Sequence, residues 1–415
     1  MTDFQPLSLR RRVVTLCSLV AFLDGFDTQS VGPAGSAIAA QIGVKLSALG
    51  LVFSASQLGF LAGALMFGAL GDRFGRKRML VIATGIFAIC TLGTAGVGTY
   101  SALLAWRLLT GFGLGGATPN FISLASEFSL PSQRSRVVTI MWAAVPFGGM
   151  AGSFVSAAII PRFGWQAIFF IGCAAPLILV PVLMSGMPES AEIGRFRGGA
   201  ENAAGGEKRA AVTRPSTVAE LFTDGRARTT LLLWGVSFMT WMTLVVVAFW
   251  TPPLLQKAGM AARTAASVLA FNNAGGVIGT VLIGVILGWL RPEKVLIAAF
   301  IVSAMFIAAM GAFVGYFPGL VVAAVFAGFF SSAAGGGLIA VAAGAYPVDA
   351  RATGVGWALG LGRLGSILGP LGASLLVAQG WQSSRIYFAV AGPTLFAAGL
   401  MGLLARELGS NKTSF

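Results

Sequence analysis

The chain has 415 residues, of which 56% are apolar and only 10% are charged, and its mean hydropathy is +0.85. Soluble domains carry about 25% charged residues, so this composition excludes a water-soluble globular protein. The net charge of +14 comes from Lys and Arg in short clusters between apolar runs, a pattern that indicates membrane topology rather than a nucleic-acid-binding surface.

Apolar runs of about 20 residues, the length of a membrane-spanning helix, recur along the chain. The runs are continuously apolar, as in 231–249, and do not alternate, which excludes a transmembrane β-barrel. We therefore predict an all-α membrane protein with twelve transmembrane helices. The predicted spans are 13–34, 47–70, 79–98, 102–125, 137–160, 166–187, 230–251, 267–289, 295–316, 320–345, 352–378 and 386–405.

The cations are distributed unevenly between the two sides of these spans. Twenty-one of the 28 Lys and Arg residues lie in the tails and even-numbered loops, and only five lie in the odd-numbered loops. This bias predicts that both termini are cytoplasmic in a multi-pass protein of the bacterial inner membrane. The one long connection, 188–229, is polar and rich in Gly and Ala, which predicts a cytoplasmic linker between six-helix bundles at 1–187 and 230–415.

The two halves share a pattern of glycines. An offset of 217 residues aligns Gly59 with Gly276, Gly71 with Gly288, Gly111 with Gly328, Gly148 with Gly365, and Gly152 with Gly369. The matches predict two parallel six-helix repeats, an arrangement in which transporters rock about a site between the halves.

Four ionisable residues lie at bilayer depth: Asp24, Asp27, Arg107 and Arg363. Each costs at least about 2.5 kcal/mol there, so such residues usually face a cavity or a partner. Asp24 and Asp27 share a helix face, and Arg363 lies at a similar depth in the other half. The guanidinium fork suits a carboxylate ligand, and two close acids repel, so that one tends to hold a proton. We predict a substrate and proton site; the alternative is a buried salt bridge that locks helix 1 to helix 11.

Arg107 precedes a run of glycines at 111–116 in helix 4. These glycines permit close helix approach, which predicts that Arg107 reaches helix 1 and holds Asp24 or Asp27 ionised. The alternative is that Arg107 extends to the membrane interface.

Aromatic and amide side chains surround the predicted site. By the offset of 217, Trp241 should lie where helix 1 presents Asp24, with Phe238 on the same helix face and Trp357 less than two turns from Arg363. These rings beside an arginine suit a ligand that is both ring and carboxylate, although each could instead pack or face lipid. Four amides at depth could bind ring hydroxyls or join helices: Gln57, Asn120, Asn272 and Asn273.

The loop Gly71-Asp72-Arg73-Phe74-Gly75-Arg76-Lys77-Arg78 resembles the signature loop of the major facilitator superfamily. Within that superfamily, segments 24–27, 111–120, 188–190 and 351–365 resemble motifs of the aromatic acid:proton symporters, and the resemblance covers nearly the whole chain. The linker departs from the family pattern after Glu189-Ser190, which puts only linker contacts in doubt.

The resemblance implies the twelve-helix fold and the import of a small aromatic carboxylate, such as a hydroxybenzoate or hydroxyphenylpropionate, together with protons. It also implies functional roles for Asp24, Asp27 and Arg363. The signature loop, through Asp72, Arg73, Gly75 and Arg76, is expected to close the cytoplasmic side against helix 11. Other residues expected near this gate are Glu127, Arg134 and Arg136.

A proton-driven exporter of the same fold is the alternative, although helix 5 lacks the Gly-Pro pair that is typical of exporters. An intramembrane enzyme is disfavoured because the chain has no histidine and no convincing nucleophile with its base. A sensor that binds ligand without moving it remains a further alternative. We expect no metal or cofactor, protons as the coupling ion, and a monomer in the lipid bilayer.

Overall fold

Twelve long helices, labelled α1–α12, make up most of the protein. A computed structural model describes residues 7–130, 133–189, 218–223, 225–287 and 289–412, and no β-strand occurs in these ranges. Most of the predicted linker, 190–217, lies outside them. The helices are Leu7–Ile42, Leu49–Phe74, Arg76–Ala95, Tyr100–Glu127, Arg134–Phe163, Gln166–Gly186, Ala227–Lys257, Ala262–Ile286, Pro292–Ala312, Phe317–Ala345, Val348–Ala378 and Ser383–Lys412.

Each helix contains most or all of one predicted span, so the all-α, twelve-helix fold is confirmed. By length and composition alone, ten of the described helices could cross a membrane. The two that fall short are α1, which carries Asp24 and Asp27, and α4, which carries Arg107. Together these two helices thus carry the Asp27–Arg107 ion pair, whose two side chains are buried inside the protein.

Equivalent helix pairs in the two halves pack in the same way. A Cβ at Gly111 of α4 would collide with the backbone of α2, and a Cβ at Gly328 of α10 would collide with the backbone of α8. Gly148 of α5 and Gly365 of α11 approach α1 and α7 equally closely. These glycines allow the helices of each half to pack backbone to backbone, which is the structural counterpart of the sequence repeat.

The two halves meet mainly along three helix pairs, α1 with α7, α2 with α11, and α5 with α8, with a smaller contact between α1 and α8. We call the end of the bundle at which α1 begins and α12 ends the terminal end, and the opposite end the far end. The seam between α2 and α11 is closed toward the far end. There Ser54 Oγ donates a 2.6 Å hydrogen bond to the Ile367 carbonyl of α11, and Phe53 of α2 packs against Trp250 of the neighbouring α7 with ring centroids 5.5 Å apart.

The same seam is open toward the terminal end. Gly356 and Gly360 lie on the same face of α11 as Arg363, and a Cβ at either would meet no atom within 4 Å. Between α5 and α8 the halves stay in contact, with Phe154 and Phe271 rings 5.5 Å apart. The α2–α11 seam is therefore packed at its far end, and the glycine face of α11 between the terminal end and Arg363 has open space beside it.

Candidate functional site

Arg363 lies at the seam between the halves, beside aromatic rings from two other helices. Its guanidinium carbon is 4.1 Å from the ring centre of Phe60 in α2 and 4.4 Å from that of Trp241 in α7. The rings stabilise the cation but leave its N–H groups free, and Arg363 forms no ion pair or hydrogen bond through its side chain with any described residue. A planar fork with free donors is well suited to a carboxylate ligand.

Asp24 of α1 is the acid that faces this arginine. Its carboxylate is buried and accepts a 3.2 Å hydrogen bond from Thr28 Oγ1. Asp24 and Arg363 interact electrostatically, yet their side chains are not within the 4.0 Å of an ion pair. The structure thus brings together an acid from one half and a cation from the other, with neither neutralised by direct contact.

Asp27 lies inside the N-terminal half. Arg107 Nη1 is 3.2 Å from Asp27 Oδ2, and both side chains are only 1% exposed. Thr91 Oγ1 donates to Asp27 Oδ1 at 2.7 Å, and Arg107 Nε donates to Ser56 Oγ at 3.2 Å. The predicted contact between Arg107 and a helix-1 acid is present, its partner is Asp27, and the pair is completed by hydrogen bonds on both sides.

Three of the four predicted amides use their side chains to join helices. Asn120 donates to the carbonyls of Phe67 and Gly116, and Asn272 donates to the Ala324 carbonyl. Asn120 and Asn272 therefore each hold helices together within one half, which is the second of the two roles predicted for these amides.

Asn273 and Gln29 exchange two hydrogen bonds of 3.1 and 3.2 Å, which connect α8 to α1 across the halves. Gln57 differs from the other amides: it is buried, and its Oε1 has no hydrogen-bond partner among the described residues.

The predicted aromatic residues divide into two groups. Trp241 contacts Arg363, and the backbone of Phe238 packs against Gly365 on the same face of α7. Trp357 instead stacks on Trp234, with ring centroids 5.9 Å apart, and is 43% exposed on the terminal side of the site. The structure therefore does not place Trp357 against the Arg363 guanidinium.

The signature loop links α2 to α3 with a tight turn. Gly75 has φ of +115°, a conformation that favours glycine, and its N–H bonds to the Gly71 carbonyl. Asp72 is 68% exposed and pairs with Arg76 at 3.0 Å, and Arg76 also forms an ion pair with Glu127 of α4. None of the recorded contacts of Asp72 reaches α11, in keeping with the open terminal end.

The remaining gate residues lie close to this loop. Arg73 stacks over the Phe74 ring at 5.2 Å, and Arg134 is exposed at the start of α5. The side chain of Arg136 lies outside the described part of the structure.

Glu189 contacts the signature loop, although the sequence alone assigned Glu189 no role. Its carboxylate accepts a 3.2 Å hydrogen bond from the Lys77 backbone N–H and lies 3.8 Å from Arg78. An acid at the first turn of α3 stabilises the exposed N–H groups there. Glu189 thus fastens the segment after α6 to the start of α3.

Sequence reasoning also missed the immediate neighbours of the charged residues. Phe60 lies one helical turn from Gln57, and Thr28 lies one turn from Asp24, so helical spacing is the signal that points to both. Thr91 and Ser56 are neutral residues on other helices, and no spacing rule connects them to Asp27 and Arg107.

Comparison with known proteins gives concordant results. The family model described as Major Facilitator Superfamily matches residues 17–310. The 4-hydroxybenzoate transporter PcaK of Pseudomonas putida is 34% identical over 427 residues, covering 98% of this chain and 95% of that protein. The 3-(3-hydroxy-phenyl)propionate transporter of Escherichia coli K12 is 36% identical over 387 residues, covering 93% and 92%.

Solved structures share the fold at low sequence identity. The crystal structure of a D-xylose-proton symporter superposes with a TM-score of 0.76 at 18% identity, covering 95% of this chain and 97% of that one. A bacterial homologue of the human lysosomal transporter Spinster, in an inward-facing and occupied conformation, gives a TM-score of 0.78 at 16% identity, covering 97% and 98%. These two matches concern the fold alone.

Proposed function

Because the chain belongs to the Major Facilitator Superfamily, we propose that it is a proton-coupled symporter that imports a small aromatic carboxylate by alternating access. The observation that carries this proposal is the site at Arg363, where free guanidinium donors lie between two rings and beside a buried acid. A ligand that combines a ring with a carboxylate matches both features. Relatives named as transporters of 4-hydroxybenzoate, hydroxyphenylpropionate and gallate support the substrate class.

The coupling follows from competition for one positive charge. Without substrate, Arg363 is the nearest compensating charge for Asp24 across the seam. When the substrate carboxylate binds Arg363, the Asp24 charge loses that compensation and the acid takes up a proton, because two anions cannot share one cation in a dry site. Substrate and proton therefore load together. A monoanion with one proton would cross without net charge.

The conformational cycle uses the two ends of the α2–α11 seam. Opening the far end requires two contacts of α2 to break: the hydrogen bond from Ser54 to Ile367 of α11 and the ring contact of Phe53 with Trp250 of α7. Closing the terminal end brings the exposed Asp72 loop toward the start of α11. The bundles at 1–187 and 230–415 rock as units, joined by the linker at 188–229.

The distribution of cations supports placing the terminal end in the cytoplasm of a bacterial cell, with the far end facing the periplasm. One chain contains both sides of the seam, so the proposal requires only a monomer in the lipid bilayer. It requires no cofactor or metal, because the coupling ion is a proton held by Asp24.

The test is uptake into liposomes that contain the purified protein, with and without an inward proton gradient. The labelled panel comprises benzoate, 3- and 4-hydroxybenzoate, protocatechuate, gentisate and hydroxyphenylpropionate. Protein-free liposomes control for leakage of these weak acids. Gradient-dependent accumulation of at least one acid is expected; accumulation only when the gradient is reversed would indicate export, and uptake of none would reject the substrate class.

A further inference from the structure

Gln57 contains a buried hydrogen-bond acceptor that no described residue satisfies. The residue is 5% exposed, and its Oε1 has no partner. The other amides predicted at this depth, Asn120, Asn272 and Asn273, all use their side chains in hydrogen bonds. Buried polar atoms are usually bonded, so this acceptor is suited to a donor from outside the described residues, such as a water molecule or a ligand.

The position of Gln57 shows where that donor must come from. Gln57 lies midway between Ser54 and Phe60 on α2, about 60° of helix rotation from each. Ser54 bonds to Ile367 of α11, and Phe60 lies against Arg363 of the same helix. Gln57 therefore lies between two contacts of α2 with α11, on the seam itself.

Gln57 also lies farther toward the far end than the level of Arg363. Three residues advance a helix by about 4.5 Å, so Gln57 lies one turn beyond Phe60 on the far side of Arg363. A substrate with its carboxylate on Arg363 and its ring directed toward the far end would bring the opposite edge of the ring toward the level of Gln57. This is the edge that carries a meta or para substituent.

We propose that Gln57 Oε1 accepts a hydrogen bond from a ring hydroxyl of the substrate and thereby selects hydroxylated aromatic acids. The inference rests on the proposed function and narrows its substrate class. A carboxamide oxygen accepts but cannot donate, so the ring substituent must carry a hydrogen. A substrate with an unsubstituted ring leaves Oε1 without a donor. A methoxy group in place of the hydroxyl brings only an acceptor oxygen, which cannot bond to Oε1.

The experiment measures dissociation constants of purified protein for benzoate, 3- and 4-hydroxybenzoate, and the two corresponding methoxybenzoates. The wild type is expected to bind one of the hydroxybenzoates at least about tenfold more tightly than it binds benzoate or the corresponding methoxybenzoate. The reason is that a ligand without a hydroxyl donor leaves the buried acceptor of Gln57 unpaired, which costs binding free energy. Gln57→Met, which keeps the side-chain length but removes the acceptor, is expected to lose this preference while its benzoate affinity changes less than about threefold.

Gln29→Met is the matched control, because it removes an amide from α1 whose partner is Asn273 rather than a ligand. It should change the affinities for all five acids by the same factor. A hydroxyl preference that survives in Gln57→Met, or a methoxy ether that binds wild type as tightly as its phenol, would overturn the assignment. The ether comparison needs no variant and stands even if Gln57→Met does not fold. Failure of the wild type to bind any of these acids would instead contradict the proposed function.

Discussion

Asp24 and Asp27 lie one turn apart on α1 but belong to different regions of the molecule. Asp27 lies inside the N-terminal half, where Arg107 and Thr91 engage its two oxygens. Asp24 lies at the seam, where it accepts one hydrogen bond from Thr28 and interacts with Arg363 at longer range. Three residues along a helix leave about 60° between two side chains, which is enough to direct them to different neighbours.

The comparison shows how one helix can carry a structural charge and an exchangeable charge together. The charge on Asp27 is compensated within its own half and so does not depend on how the halves are arranged. The charge on Asp24 is compensated across the seam, so any motion or ligand at the seam alters it. Only an acid of the second kind can link protonation to transport.

The largest expected effect is a loss of stability when Arg107, the cation that compensates Asp27, is removed. Arg107→Met leaves Asp27 as an unpaired buried charge, and breaking such a pair costs about 3–5 kcal/mol of folding free energy. We expect a correspondingly lower unfolding midpoint in detergent, measured by thermal or denaturant unfolding of the purified protein.

The matched control removes both charges at once. Asp27→Leu combined with Arg107→Met should recover most of the lost stability, because an apolar pair replaces a buried ion pair at little cost. Asp24→Asn should leave the midpoint nearly unchanged, since Asp24 forms no direct ion pair. Equal destabilisation by Asp24→Asn and Arg107→Met would remove the distinction between the two acids.

A smaller but still large effect, on substrate affinity, is expected from a substitution of Arg363, the cation at the seam. Arg363→Lys keeps the positive charge but loses the planar fork and its contact with two rings. We expect the dissociation constant of the transported acid to rise about 30-fold or more, in line with truncation of a buried charge-pair partner. Equilibrium binding measures it, and wild-type affinity in Arg363→Lys would show that the carboxylate binds elsewhere.

Asp24→Asn tests the acid of the seam more selectively. A neutral side chain at this position mimics the protonated state, so substrate binding should change less than about threefold and exchange of labelled for unlabelled substrate should continue. Accumulation driven by an inward proton gradient should be lost. Liposome uptake and counterflow measured on the same preparation separate the two activities, and gradient-driven accumulation by Asp24→Asn would exclude Asp24 as the proton carrier.

The fold could be predicted from sequence because its signals are repeated and strong. Apolar runs define the helices, and glycines such as Gly111 and Gly328 recur at one offset because the same helix pairs pack closely in both halves. The charged residues of the site could also be predicted from sequence, because an ionised side chain at bilayer depth costs so much free energy that it usually has a partner or a function.

The partners of those residues were less predictable. Asn120 and Gln57 are the same type of residue at similar depth, and only the presence or absence of a hydrogen-bond partner separates helix packing from a free acceptor. Phe60 is one of 31 phenylalanines, so its contact with Arg363 leaves no trace in the sequence. Such contacts depend on the packing of helices that are distant in the chain.

Trp357 gives the smallest expected effect and the sharpest test of where the site ends. Six residues separate it from Arg363, which leaves about 120° between the two side chains around the helix axis, so they leave α11 in different directions. Trp357 stacks on Trp234 and not on the guanidinium. We therefore expect Trp357→Ala to change the dissociation constant of the transported acid less than about threefold, while Trp241→Ala raises it about tenfold because it removes a ring from the cation. Binding measured for both variants under one condition decides the matter: a larger loss in Trp357→Ala would mean that the ligand contacts the terminal side of Arg363, and that its ring points away from Gln57.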